Sequence, residues 1–131
     1  MIDIRPAVVG DEDGIAHVHV KTWQISYKGI FSDEFLKDIS FEKRKEGWAG
    51  VVAKSVDVNS RAGVLVAEDS NCIIGFLSTL QSRKEGSLPE DGEVTALYID
   101  PDYQGQGIGK KLLHASFDWF KTHGFKNVII R

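Results

Sequence analysis

The chain has 131 residues, enough for one domain with its own core, and hydrophobic and charged fractions of 42% and 27% place it among ordinary globular proteins. Sixteen basic against nineteen acidic residues leave a net charge of −3, which excludes a bulk field that would draw the chain onto nucleic acid. A lone cysteine, Cys72, excludes an internal disulfide, and no apolar run approaches the roughly 20 residues of a membrane span. The opening MIDIRPA alternates and carries an Asp, unlike a secretory leader, so a cytoplasmic protein without membrane contact is expected.

Ile2 and Ile4 alternate with Asp3 and Arg5 ahead of Pro6, which predicts a short half-buried strand. Asp11 reads as a helix start, with Glu12 and Asp13 at the positive end of the helix dipole. Ile15, Val18, Thr22 and Ile25 recur at spacings of three and four, so this helix is expected to run to about Ser26. Ser32 can cap a second short helix containing Phe35, Leu36 and Ile39. Ser40 can cap a third, running through Glu42, Lys45 and Trp48 to about Ala53. The polar stretch DVNSRAG, residues 57–63, reads as a loop.

Beyond that loop the period changes. Val64–Ala67 and Ile73–Leu77 are short apolar runs separated by Asp69-Ser70-Asn71, a hairpin signal. The charged loop RKEGSLPEDG leads to a third run, Glu93–Ile99. Ile108, Leu112, Leu113, Ser116, Phe117 and Phe120 then form an apolar face at helical spacing. Gly124 ends that helix, and Val128-Ile129-Ile130 begins one more strand. The order describes a single α/β (α+β) domain over residues 1–131, with helices flanking a mixed, largely antiparallel central sheet. The sequence stops at Arg131, inside an apolar strand. An open edge there invites pairing with another chain, so either a homodimer through Val128–Arg131 or a fragment is expected.

The stretch YQGQGIGKKLL, residues 103–113, sets three glycines at alternate positions against the start of the last long helix. The dinucleotide fingerprint fails there, because its third glycine position holds Lys110. A Walker loop fails as well: Gln104 stands where its first glycine belongs, and Lys111 follows Gly109-Lys110. What survives is Gln-x-x-Gly-x-Gly, formed by Gln104, Gly107 and Gly109 between a strand and a helix N-terminus. First-turn amides point outward there, the dipole adds positive charge, and glycine lets backbone approach a diphosphate. Lys110, Lys111, Lys121 and Lys126 form a local cluster that could meet a small anion.

The whole run LYIDPDYQGQGIGKKLL, residues 97–113, resembles the acetyl-coenzyme A signature of the GNAT (Gcn5-related) N-acetyltransferases. VHVKTWQISYKGIFSDEFL is similar to the first two helices of many small members. The resemblance implies the acyl-CoA N-acyltransferase fold, with acetyl-CoA as co-substrate, no metal, and a small-molecule or peptide amine as acceptor. Main-chain N–H groups from Gln104 through Gly105, Gln106, Gly107, Ile108, Gly109 and Lys110 would grip the pyrophosphate. Leu97, Tyr98 and Ile99 would run beside the pantetheine arm, which binds much as an added strand does. The N–H of Ile99 would meet the acetyl oxygen as it becomes negative, a contribution of about 3–4 kcal/mol.

Glu93 matches the position of the family's base. The alternative reading is a solvated strand-end carboxylate beside Glu90 and Asp91. Strict alternation turns Glu93, Thr95, Leu97 and Ile99 to one face, unless a bulge intervenes. Trp23, Tyr27 and Phe31 would wall the acceptor pocket, or else pack the helices onto the sheet. The family's acid, a Tyr on a helix after the fifth strand, falls beyond the last residue, so the expected chain is C-terminally truncated relative to the family. A non-catalytic acyl-CoA-binding module, or a fragment completed by a partner, therefore stands beside the direct-transfer acetyltransferase. His17 and His19, two apart on a helix, lie on different faces and make a poor metal pair; His114 and His123 lack neighbouring ligands, and Cys72 lacks a nearby base.

Overall fold

Layering follows from the two most apolar strands. The computed structural model describes residues 2–26, 29–30, 41–57, 60–82 and 85–130. In it, β2 (Gly63–Asp69) and β3 (Cys72–Gln81) carry unbroken buried runs, because helices cover both faces of the sheet. Helix α3 (Ile108–Thr122) covers one face: its Ile108, Leu112 and Phe120 pack with Leu65, Ala67, Ile74, Leu77 and Val94. Helices α1 (Glu12–Ser26) and α2 (Phe41–Ser55) cover the other, where Ile15, Val18 and Val52 meet Val64, Val66 and Phe76.

With β1 (Ile2–Pro6), β4 (Asp91–Ile99) and β5 (Asn127–Ile130), the strands lie in the order β1-β2-β3-β4-β5. The first three pairings are antiparallel. The last, β4 with β5, is parallel, with α3 as its crossover. This is the mixed, largely antiparallel sheet that the periods predict. Ser70 and Asn71, at φ 51° and 68°, turn the β2–β3 hairpin, and positive φ at both central residues matches the twist of its strands. Arg5 pins α1 to β1 and β2. Its guanidinium reaches both oxygens of Asp11, at 2.7 and 3.0 Å, and Glu68 at 3.0 Å, so Asp11 is held below the usual carboxylate range. The helix expected around Phe35, Leu36 and Ile39 lies outside the described residues.

Two bulges decide which way side chains point. In β3, Gly75 faces Ala67 while Ile73 faces Glu68, which leaves Ile74 as the extra residue. In β4, Ala96 faces Ser78 while Val94 faces Thr79, so Thr95 is extra. A hydroxyl–hydroxyl bond of 2.7 Å ties Thr95 to Ser78 across the pair.

The α3 end of the sheet closes around Gly92. An added Cβ there would run into the Phe120 ring and approach Phe125. Arg61 seals the far side of that cluster, with its guanidinium 3.9 Å over the Phe125 ring and bonds to the carbonyls of His123 and Pro89. Gly92→Ala is therefore expected to destabilise the fold by about 1–3 kcal/mol through overpacking, read from urea unfolding. A wild-type midpoint would show that the two rings move aside freely.

Candidate active site

The first feature of the site is an unshared strand edge. β5 pairs with β4 only from Asp91↔Asn127 to Val94↔Ile130. From Thr95 to Ile99, no strand among the described residues lies on that side of β4. The amide of Asp100 donates to the carbonyl of Ile74 at 2.7 Å, toward β3. Main-chain groups alternate along a strand, so Tyr98 and Ala96 also face β3, whereas Leu97 and Ile99 present N–H and C=O to the open edge. A groove of about 390 Å³ runs there, lined by Val94, Thr95, Ala96, Leu97, Tyr98 and Ile130.

At its end the edge runs into a turn built by Asp100. The carboxylate of Asp100 accepts from the amide of Asp102 at 2.9 Å, and its carbonyl accepts from Tyr103 at 2.8 Å, closing the single helical turn Pro101–Tyr103. Gln104 Nε2 donates to the carbonyl of Ile99 at 3.3 Å. The Gln side chain thus clips the loop to the strand, while the Gln104 amide donates back to the carbonyl of Pro101 at 3.4 Å. Gly105 and Gly107 have φ of 82° and 76°, in the left-handed region, and a Cβ on either would meet nothing within 4 Å. Their requirement is conformational. Gly107 is the N-cap of α3, and the first helical bond runs from Lys111 N to Gly107 O at 3.1 Å. The amides of Ile108, Gly109 and Lys110 therefore precede the helix ladder, with no acidic residue in that first turn to compete for them. Ile108 is buried, so only its main chain can serve the loop. Gly105, Gln106 and Lys110 are exposed. A Cβ on Gly109 would sit 4.0 Å from Ile99 and Leu97, an ordinary contact.

The Thr95 bulge corrects the facing that strict alternation implies. Leu97 and Ile99 pack into the α3 core with Val94, whereas Ala96 and Tyr98 face α1 and α2. Glu93, next to Val94 and opposite Leu80, therefore points to the α1/α2 face, away from Leu97 and Ile99. It is also 2% exposed, not a solvated strand-end carboxylate.

On that face the sequence gives little warning of an aromatic cluster. His19 stacks on Tyr98 with ring centroids 5.0 Å apart, and Trp48 and Phe76 meet edge to face at 4.9 Å. Trp48 Nε1 donates to His19 Nδ1 at 3.0 Å. An indole nitrogen only donates, so the neutral imidazole carries its proton on Nε2. Burial, reinforced by the charge of Arg44, holds the pKa of His19 below its ordinary value. Trp23 lies one helical turn beyond His19 on α1 and is half-buried. Tyr27 and Phe31 fall outside the described residues. A second cavity, about 310 Å³, opens between α2 and the bulge and is lined by Trp48, Val51, Lys54, Ser78 and Leu80; Thr95 borders both it and the groove.

Lys21, also unsignalled by any motif, joins α1 to the turn, its Nζ lying 2.9 Å from Asp100 and 3.0 Å from Asp102. A cleft of about 450 Å³ between α1 and the β2–β3 hairpin is larger than the groove. Its carboxylates are already engaged: Asp11 and Glu68 by Arg5, Asp100 by Lys21, Asp13 by His17 and Lys45. Among the described residues no group of three His, Cys, Asp or Glu is placed to hold a metal ion, and no helix is long and apolar enough to cross a membrane.

A model of the acetyltransferase (GNAT) family matches residues 20–131. The chain belongs to the GNAT family. An uncharacterized N-acetyltransferase of Bacillus subtilis (strain 168), YuaI, is 30% identical over 133 residues, covering 99% of this chain and 70% of that protein. The spermidine N(1)-acetyltransferase of Thermoplasma acidophilum is 28% identical over 113 residues, covering 86% and 66%. The chain spans only 27% of the mycothiol acetyltransferase of Rhodococcus jostii (strain RHA1), at 30% identity over 89 residues. The crystal structure of PaiA N-acetyltransferase from Thermoplasma acidophilum in complex with coenzyme A superposes with a TM-score of 0.81 at 26% identity. The match covers 99% of this chain and 78% of that one.

Two stability tests follow. Gly107→Ala is expected to cost about 1–2 kcal/mol, the penalty of a left-handed non-glycine residue, whereas Gly109→Ala melts like the wild type. Equal melting temperatures for the two variants would contradict the strained cap. For His19, the folded pKa lies below the unfolded value of about 6.5, so between the two the unfolded chain binds more protons. Its contribution is present above that pH and lost as pH falls through the folded pKa. The melting temperature of the wild type is expected to drop more steeply between pH 7 and pH 5 than that of His19→Gln.

Proposed function

We propose that this chain transfers an acetyl group from acetyl-coenzyme A directly to a primary amine of a small molecule or peptide. The observation that carries the reading is one continuous main-chain surface. The open-edge amides of Leu97 and Ile99 lead into the glycine loop and then into the unladdered amides at the start of α3. Such a surface suits an extended arm that ends in a diphosphate. The loop residues Gly105 to Lys110 fit that anion through their main chain, Gln104 holds the loop to the strand and to Pro101, and Leu97, Tyr98 and Ile99 border the arm. An edge amide, that of Ile99 on this reading, stabilises the developing negative charge on the acetyl oxygen.

The acceptor must arrive as a neutral amine, because an alkyl ammonium, with a pKa of about 10.4, has no lone pair to offer. Glu93 is the group that accepts that proton, through water where it does not reach the nitrogen. Its place on the α1/α2 face supports the assignment, because that face holds the second cavity and shares Thr95 with the groove. The amine then enters from the side opposite α3, between Trp48 and the bulge, with Trp23 toward the outer wall. Polyamines, amino acids, aminoglycosides and peptide N-termini are the classes to test.

Calorimetry with coenzyme A, acetyl-coenzyme A and ATP tests the first half of the proposal; ATP binding without coenzyme A binding would sink it. Release of free thiol over a panel of these amines tests the second. For the amine that turns over, Glu93→Gln is expected to lower kcat by about 10²–10⁴-fold while leaving coenzyme A affinity within twofold. An unchanged kcat would remove Glu93 from the chemistry.

A further inference from the structure

A loop proposed to hold a diphosphate should not follow directly on two carboxylates, yet this one does. Asp100 and Asp102 stand four and two residues before Gln104, in the turn that delivers the chain to the glycine loop. Asp100 has a structural role, since its carboxylate caps the turn through the amide of Asp102. Asp102 caps nothing comparable; its side chain is largely exposed, and its carboxylate meets Lys21. Lys21, on α1, is the cation that faces both. Its Nζ lies 2.9 and 3.2 Å from the two oxygens of Asp100 and 3.0 Å from Asp102 Oδ2. The three bonds join residues 79 and 81 positions apart.

We propose that Lys21 is a positioning residue for the coenzyme: it neutralises the Asp100–Asp102 pair, so that the turn neither repels the diphosphate nor swings away from α1. The inference rests on the acetyl-coenzyme A reading above. The carboxylates in turn hold the ammonium of Lys21 above its ordinary pKa, Asp100 contributing most and then Asp102, so the lysine stays charged across the working range. Removing it leaves two negative charges beside the loop. Lys110 and Lys111 belong to the first turn of α3, which carries no acidic residue.

The test uses coenzyme A itself and reads affinity apart from chemistry. In low salt, Lys21→Met is expected to weaken coenzyme A binding by about three- to tenfold in calorimetry, and the loss should shrink as salt screens the exposed charges. With the amine that turns over, KM for acetyl-coenzyme A should rise by the same factor while kcat stays within twofold. Lys21→Arg should bind as the wild type does. The decisive variant is Asp102→Asn in the Lys21→Met background, which removes the less needed carboxylate and leaves the Asp100 cap intact; it should recover most of the lost affinity. A merely structural lysine would not be rescued this way, so absence of rescue overturns the proposal, as does wild-type affinity in Lys21→Met. If the wild-type chain itself binds no coenzyme A, the acetyltransferase reading fails first, and that result is distinct from either.

Discussion

Strand β4 spends its two edges differently along its length, and the rest of the site depends on that change. Up to Val94 it is paired on both sides, by β3 and by β5; past Thr95, among the described residues, it keeps β3 alone. The extra residue beside the last of those pairs is held by the hydroxyl bond between Thr95 and Ser78. An open edge is ordinarily a hazard, because its unpaired main-chain groups recruit other strands. Here it is a few residues long, and at one end Gln104 already occupies the carbonyl of Ile99.

The electrostatics of the two long helices divide along the same line. Helix α1 begins with Glu12 and Asp13, so its own side chains answer its positive end. Helix α3 begins with Gly107, Ile108 and Gly109 and has no acid in its first turn. Its dipole is left facing the loop, where an external anion can use it. Two carboxylates, Asp100 and Asp102, stand instead in the turn before the loop, and α1 answers them with Lys21. One helix therefore supplies the field, and the other balances the turn that aims the chain into it.

The two faces of the sheet are also unlike. The α3 face is apolar packing around Leu112, Phe120 and Phe125. The α1/α2 face mixes packing with polar side chains: His19, locked in one neutral tautomer by Trp48, and Glu93, buried beside the bulge. On the function proposed here, this second face is where an acceptor amine meets the thioester, with the cofactor entering from the open edge between the two layers.

Local patterns were legible in the residues themselves. Alternation in Ile2–Arg5, the apolar runs of β2 and β3, and the helical stripe Ile108–Leu112–Ser116–Phe120 each report neighbours within a few positions, which period alone captures. The glycine loop was legible for the same reason, since left-handed φ at Gly105 and Gly107 is a demand of the local backbone. The facing of Glu93 was not. One extra residue at Thr95 reverses it, and a bulge is set by the partner strand's register. Nor were the Lys21–Asp100 tie or the stacking of His19 on Tyr98, which join residues about 80 positions apart and leave no periodic trace. Sequence alone determined the order of the described elements and the glycine-dependent conformation of the loop, because both arise from interactions a few residues long. Only the tertiary structure decided which way the buried acid points and which cation meets the turn, because each depends on what another segment places beside it.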